Sequence, residues 1–174
     1  MLLLDLNKIR TAHERVEEVY PPEMLRTGGG TFRLTSPVSF ATDVYKDKDQ
    51  FHLVGTVRAT LELACSRCLE PFDCTVDASF DLRYQPATRN QGAGEREIAE
   101  DDLTTAFYQN NEIDLRALME EQFYLALPMK PLCSETCKGL CPTCGANWNR
   151  ASCECSNRWQ DPRLAGLRSL TRDS

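Results

Sequence analysis

Apolar and polar residues alternate through the middle of the chain and predict long β-strands. Apolar side chains occupy mostly even positions from Phe32 to Val44 and odd positions from Phe51 to Leu63, on either side of a charged turn. A third run alternates from residue 72 to residue 84, with Asp, Thr, Ser and Arg on its opposite face. Alternation with period two is typical of strands with one buried face. Strands this long usually coil, so we expect a long-stranded antiparallel, partly barrel-like sheet.

Other segments predict a helix packed on this sheet, and hence an α+β fold. Residues 115–126 carry an apolar stripe that can be capped by Asp114 or Asn111, and Pro128 ends the pattern. Residues 11–19 predict a second, short helix stopped by Pro21, and residues 1–6 a further strand. Residues 86–102 lack an apolar period and predict a mobile loop. The stripe of the main helix comprises Leu115, Leu118, Met119, Gln122, Phe123 and Ala126.

These elements divide the chain into three parts of different charge. Residues 1–127 are expected to form the core of sheet and helix, residues 128–155 a cysteine-rich zinc-binding segment, and residues 156–174 a polar tail. The net charge is −6, but residues 128–174 hold seven Lys/Arg against four Asp/Glu, whereas residues 1–127 hold an excess of nine acids. Any contact with nucleic acid is therefore expected in the C-terminal part.

Eight of the nine cysteines have the spacing of metal ligands. Thiolates at short spacing suit zinc, which takes four of them in a structural site. One partition gives two structural Zn²⁺ sites, with the pair at 65 and 68 joined by the pair at 133 and 137. A second partition gives one local site, formed by the four cysteines of residues 133–144 or by another four of the run from 133 to 155, and leaves the pair at 65 and 68 free. A redox dithiol at 65 and 68 is a further alternative. The eight are Cys65, Cys68, Cys133, Cys137, Cys141, Cys144, Cys153 and Cys155.

The same features predict a cytoplasmic, non-catalytic protein. An odd number of cysteines in knuckle spacing favours reduced thiols over a secreted disulfide framework, and the first apolar run is too short for a signal sequence. No stretch is apolar enough to span a membrane, so no membrane partner is expected. Only His13 and His52 could serve as catalytic histidines, and neither has a partner nearby in sequence. Four-thiolate zinc sites would leave no coordination position for water.

An ordered set of short segments resembles the YceD-like family, the large ribosomal RNA subunit accumulation proteins. The resemblance covers roughly residues 50 to 155, and Trp148 departs from it where an aliphatic residue is frequent. The segments are Gly55-Thr56-Val57, Cys65-Ser66-Arg67-Cys68-Leu69-Glu70-Pro71, Ile113-Asp114-Leu115, Leu125-Ala126-Leu127-Pro128, Lys130-Pro131-Leu132-Cys133, the run from Cys137 to Gly145, Asn147, Asn149 and Cys153-Glu154-Cys155.

The resemblance implies a factor needed for accumulation of large-subunit ribosomal RNA, through processing, stability or assembly. The expected partner is that RNA or a pre-ribosomal particle, with a basic ribosomal protein or a processing enzyme as the alternative. Arg67, at the tip of the first knuckle, is the leading candidate RNA contact. The other candidates are Lys130, Lys138, Arg150 and the tail residues Arg158, Arg163, Arg168 and Arg172.

Overall fold

The structure is a computed structural model and describes residues 2–25, 30–87 and 105–155. Strands predominate, and one α-helix follows them in the described residues. The predicted loop beyond residue 87 and the polar tail lie outside the described residues. The elements are β1 (Leu3–Asp5), β2 (His13–Tyr20), β3 (Arg33–Leu34), β4 (Val38–Asp47), β5 (Gln50–Ala64), β6 (Pro71–Pro86), β7 (Thr105–Tyr108), β8 (Glu112–Asp114) and α1 (Leu115–Ala126).

The alternating runs form the long strands that were predicted. β4, β5 and β6 pair antiparallel in order, and a further strand pairs at each end to give the path β2-β4-β5-β6-β7, with β3 beside β5. The apolar positions of these strands face the core; Phe40, Leu53 and Leu61, for example, are almost completely buried. Cys74 packs against the same core, as its alternating position predicts. β7 is the exception to the antiparallel pattern, because it runs parallel to β6.

The prediction that the sheet is partly barrel-like was wrong. Strands β2 and β7 lie at opposite ends of the path and do not pair within the described residues. Neighbouring atoms approach closely at Gly55, where an added Cβ would lie 2.7 Å from Cζ of Phe80 and would overlap the carbonyl oxygen of Ala41. The sheet is thus open, and helix α1 and a small sheet of β1 and β8 contribute residues to the same core.

The prediction for residues 11–19 was also wrong, since His13–Tyr20 is strand β2 rather than a helix. Val16, Val19 and Tyr20 have helical spacing, but Val19 is exposed and the whole segment pairs antiparallel with β4. Backbone pairing along a ten-residue neighbour outweighs a weak local pattern, and β-branched valines favour the strand. The strand predicted in residues 1–6 is present as β1.

Helix α1 has the predicted bounds and cap. The carboxylate of Asp114 accepts hydrogen bonds from the backbone N–H groups of Arg116 and Ala117, at 2.9 and 3.1 Å. The apolar stripe is buried in the core up to Phe123, whereas Ala126 is exposed. No helix in the described residues is long and apolar enough to cross a membrane. The chain then leaves the helix and returns towards the turn between β5 and β6.

Candidate metal-binding site

The eight knuckle cysteines converge in two groups of four. Within each group the four Sγ atoms all lie within 4.8 Å of one another. The grouping is that of the first partition, in which the cysteines of the β5–β6 turn join those that follow α1. Cluster 1 is Cys65, Cys68, Cys133 and Cys137; cluster 2 is Cys141, Cys144, Cys153 and Cys155.

The sheet positions the first half of cluster 1. Strand β5 ends at Ala64, and the turn closes through hydrogen bonds from the N–H of Cys65 to the carbonyl of Glu70 and from the N–H of Leu69 to the carbonyl of Cys65. Leu69 adopts φ 61°, a left-handed conformation that is unusual for leucine. This tight turn directs both Cys65 and Cys68 into the interior of the site, where both are buried.

The segment after α1 supplies the second half. The N–H of Ser66 donates to the carbonyl of Pro131 at 2.8 Å, which holds the returning chain against the turn. Sγ of Cys65 lies 3.8 Å from Sγ of Cys137, and Sγ of Cys68 lies 3.7 Å from Sγ of Cys133. Four sulfurs at about 2.3 Å from a tetrahedral zinc are separated by about 3.8 Å. The geometry therefore fits a four-thiolate zinc site, and these distances are too long for disulfides.

Cluster 2 is built on a second knuckle of the same design. The N–H of Gly145 donates to the carbonyl of Cys141, as Leu69 does to Cys65, and Gly145 has φ 74°. The cluster is more exposed than cluster 1: Cys141 is buried, but Cys144 is exposed. The indole Nε1–H of Trp148 donates to Sγ of Cys153 at 3.3 Å.

The electrostatics of both clusters favour a bound cation. Backbone N–H groups of Cys133 and Cys68 lower the pKa of Cys65 to about 6, and those of Cys144 and Thr143 do the same for Cys141. Hydrogen bonds with Cys68 and other thiols raise the pKa of Cys133 to about 12. A divalent cation at the centre would offset the repulsion between thiolates and allow all four to ionise. Soft thiolate ligands select zinc over magnesium or calcium.

Asn149 joins cluster 1 to the chain around Lys138 and Asn147. Its Nδ2 donates to Sγ of Cys137 at 3.3 Å and to Oδ1 of Asn147 at 3.0 Å, and its Oδ1 accepts from the N–H of Lys138 at 2.8 Å. A salt bridge of 3.0 Å between Arg150 and Glu70 joins the same segment to the first knuckle. Residues 138–150 are therefore fastened to the sheet by polar contacts as well as by cluster 1.

The candidate RNA contacts lie around these clusters. They differ in whether the side chain already has a partner within the protein. Nη1 of Arg67 donates to the carbonyl of Cys137 at 2.9 Å, so this side chain closes the knuckle. Arg150 pairs with Glu70, while Lys130 and Lys138 are exposed. A shallow cavity of about 380 Å³ lies beside cluster 2 and is lined by Lys138, Trp148, Asn149, Arg150, Ala151 and Ser152. The tail arginines lie outside the described residues.

Sequence reasoning did not assign roles to Asn149, Trp148 or Glu70. Asn149 belongs to one of the segments that carry the family resemblance, but its residue type alone does not indicate a hydrogen bond to a ligand sulfur. The two histidines lie on the exposed face of the sheet. His13 pairs with Asp43 at 2.8 Å and His52 with Asp81 at 2.6 Å.

Comparison with known proteins gives a consistent family. Residues 53–171 match the family model described as large ribosomal RNA subunit accumulation protein YceD. A chloroplastic YCED homolog 1 of Zea mays is 30% identical over 162 residues, covering 77% of this chain and 55% of the relative. The Arabidopsis thaliana homolog is 26% identical over 78% of this chain and 49% of the relative. The chain thus spans about half the length of these two plant relatives.

A bacterial relative is matched more evenly. The large ribosomal RNA subunit accumulation protein YceD of Haemophilus influenzae is 30% identical over 143 residues, which is 79% of each chain. No solved structure matches this chain. The family model and the bacterial relative together show that the chain belongs to the YceD family of large ribosomal RNA subunit accumulation proteins.

Proposed function

We propose that this protein is a zinc-stabilised, non-catalytic factor that supports accumulation of large-subunit ribosomal RNA. In this proposal it binds that RNA, or a pre-ribosomal particle, through the cysteine-rich segment 128–155. The observation that carries the proposal is the cavity beside cluster 2, which Lys138 and Arg150 line together with Trp148. Basic side chains next to an aromatic ring suit contacts with phosphates and unstacked bases.

Two structural zinc ions are part of the proposal. Segment 128–155 contributes little apolar surface: around cluster 1 it supplies the buried Cys137 and only two partly buried apolar residues, Leu132 and Leu140. Small segments without a sufficient apolar core are commonly stabilised by metal. The sulfur–sulfur distances of 3.7 and 3.8 Å in cluster 1 support this assignment, as does the repeated knuckle in cluster 2.

In this proposal, individual basic side chains contact phosphates of the RNA, and the segment does not present a large positively charged surface. A zinc bound by four thiolates carries a net charge of −2, which offsets much of the positive charge nearby. Three phosphate contacts by Lys130, Lys138 and Arg150 would give a slope of about −2 for log affinity against log salt on single-stranded RNA. Arg67 contributes mainly by positioning Cys137, because its guanidinium already donates to that backbone.

A non-catalytic role in the cytoplasm is consistent with the chemistry of the site. Each cluster offers four thiolates to one metal, so a bound zinc has no open position for substrate or water. All nine cysteines are free thiols, which suits a reducing compartment.

The decisive experiment is ultraviolet crosslinking of the tagged protein in its native cells, followed by sequencing of the recovered RNA. We expect enrichment of large-subunit ribosomal RNA or its precursor. The double variant Lys130→Glu with Lys138→Glu should reduce the yield of crosslinked RNA at least tenfold. The control, Lys8→Glu with Lys48→Glu, makes the same charge change outside the cysteine-rich segment and should leave the yield unchanged. Equal yields from both double variants would contradict the proposed RNA contacts.

A protein-binding adaptor is the second candidate, and one observation favours it. The charge of residues 1–127 is strongly negative, and the exposed face of β6 carries Asp73, Asp77 and Asp81. Such a surface suits a basic ribosomal protein. Ribosomal proteins that co-purify after nuclease treatment, without enrichment of RNA, would select this function over direct RNA binding.

A further inference from the structure

Within the described residues, no strand pairs with the outer edge of β6 over most of its length. β6 pairs with β5 from Pro71 to Tyr84, but on its other side it pairs with β7 only from Arg83 to Pro86. No other strand in the described residues lies beside residues 71–82. Twelve residues of strand, about 40 Å long, therefore form an edge that is open with respect to residues 2–25, 30–87 and 105–155.

The hydrogen-bond pattern shows which residues face that edge. The N–H of Thr60 donates to Oγ of Ser36, and the carbonyl of Thr60 accepts from the N–H of Thr35. Even-numbered residues of β5 therefore point their backbone N–H and C=O groups towards β3 and β4. Odd-numbered residues of β5 consequently face β6, and the register pairs them with even-numbered residues such as Cys74, opposite Leu61. Odd-numbered residues of β6 then direct both N–H and C=O outward. They are Asp73, Thr75, Asp77, Ser79 and Asp81.

The same residues make the edge acidic. Residues 71–82 contain three aspartates and no lysine or arginine. Asp77 pairs with Arg58 at 2.8 Å and Asp81 with His52, but both carboxylates remain more than half exposed, at 53% and 68%. Natural edge strands are often protected by lysine, proline or bulges. Here the only proline is Pro71, at the start of the strand.

The core side of this edge is incompletely covered. Even-numbered residues of β6 point into the core, yet several remain only partly buried there. They are Phe72, Cys74, Ala78 and Leu82. An added strand would place its own alternate side chains beside these residues. The edge thus offers backbone partners, carboxylates on one face and apolar surface on the other.

We propose that residues 71–82 of β6 accept an extended Lys/Arg-rich segment of another protein as an added β-strand. Basic and apolar residues should alternate in that segment, because opposed side chains on neighbouring strands share a face. A second copy of this chain is a poor occupant: antiparallel self-pairing centred on Asp77 would oppose Asp73 with Asp81, and like charges placed directly opposite destabilise a sheet. This inference rests on the sheet and is independent of RNA contact by the cysteine-rich segment.

The test uses the full chain and a fluorescent nonapeptide of alternating lysine and valine. A control peptide of identical sequence carries N-methyl groups on alternate backbone nitrogens, which preserves its charge but prevents strand pairing. Binding is followed by fluorescence anisotropy, and hydrogen exchange reports the protection of backbone amides. We expect the unmodified peptide to bind at least tenfold more tightly and to slow exchange at Thr75, Asp77 and Ser79.

Two variants address the edge without disturbing the sheet. Ser79→Pro removes an outward N–H and should be tolerated, because the hydrogen bonds to β5 come from its neighbours. Asp77→Lys reverses the central charge. Each variant should weaken peptide binding at least tenfold while the melting temperature stays within about 4 °C of the parent. The comparison variant Ala78→Pro removes an N–H that points towards β5 and should lower the melting temperature markedly. It tests the assignment of even-numbered residues of β6 to the side that pairs with β5.

Several outcomes would overturn the proposal. Equal binding of both peptides would mean charge attraction alone, and absence of binding would mean that the edge accepts no strand. Sedimentation showing a dimer that Ser79→Pro dissociates would identify a second copy as the occupant. Binding seen only after deletion of residues 156–174 would identify the chain's own tail. Loss of RNA crosslinking with the lysine variants would bear only on the separate proposal for residues 128–155.

Discussion

Removing the side chain of Asn149 should weaken one metal site and spare the other. Asn149 donates to Sγ of Cys137 in cluster 1 at 3.3 Å and has no hydrogen bond to the cysteines of cluster 2 in the described residues. A hydrogen bond to a charged group is worth about 1.5–3 kcal/mol. Losing it corresponds to about 10–100-fold in zinc affinity, the range typical of outer-shell partners of metal ligands. Asn149→Ala should therefore lower the affinity of cluster 1 by this factor.

The assay is a competition titration of the zinc-loaded protein with a chelator, in which metal release is followed by a chromogenic zinc indicator. We expect two zinc ions per chain. In Asn149→Ala, one of them should be released at about 10–100-fold lower chelator concentration. The variant also removes the acceptor for the N–H of Lys138, so amide exchange near that residue should accelerate.

The matched variant lies next to Asn149 in sequence. Trp148→Phe removes the indole N–H that donates to Cys153, so it should weaken cluster 2 and leave cluster 1 unchanged. Opposite selectivity in the two variants is the signature expected from the two-cluster arrangement. A common change at both sites, or none in either variant, would refute the assigned hydrogen bonds and the independence of the clusters.

Three further changes test the site and its scaffold. Replacing Cys65 and Cys68 together with serine should lower the zinc content from two to one, and unchanged metal content measured by mass spectrometry would contradict the partition. Gly55→Ala would place Cβ 2.7 Å from Cζ of Phe80, and an overpacking cost of about 3 kcal/mol should lower the melting temperature by roughly 6–12 °C. A shift below about 3 °C would show that the close packing at this position does not need glycine. Asp114→Ala removes the cap of α1 and should cost about 1 kcal/mol, measurable by urea unfolding; no change would mean the cap is redundant.

The long strands could be predicted because their signal is repeated. From residue 51 to residue 63, all odd-numbered positions except Gly55 are apolar, and a one-residue slip would expose the whole set. Turn chemistry and the cap at Asp114 similarly act over a few residues. Features of this kind depend on local sequence alone. The bounds of α1 and the central hairpin could therefore be predicted from the sequence.

The errors arose where distant pairing decides the structure. Residues 13–20 lie in a strand because β4 offers them a partner along their whole length, a fact absent from their own sequence. The parallel placement of β7 likewise depends on its pairing with β6, and the open sheet on the absence of pairing between β2 and β7 within the described residues. Local propensity is a weak prior in such cases, and tertiary context overrides it.

The cysteine partition lies between these two cases. Spacing alone identified the pairs, but it left open whether Cys65 and Cys68 join the later run. The answer required the turn between β5 and β6 to meet the segment after α1, as the contact of Ser66 with Pro131 shows. The outer contacts by Asn149 and Trp148 carry no comparable sequence signal, because an amide or indole N–H near sulfur has no fixed spacing.

The two clusters consequently have different relations to the fold. Cys65 and Cys137 are 72 residues apart in sequence, and Cys68 and Cys133 are 65 apart, so cluster 1 assembles only when the sheet hairpin and α1 are already packed. Cluster 2 lies within residues 141–155 and needs no distant partner. A metal ion in cluster 1 would therefore stabilise the junction between the sheet and the cysteine-rich segment, whereas a metal ion in cluster 2 would shape the surface that carries Lys138 and Trp148. A chain with only the first metal would keep its architecture and lose the local order on which the proposed RNA contact depends.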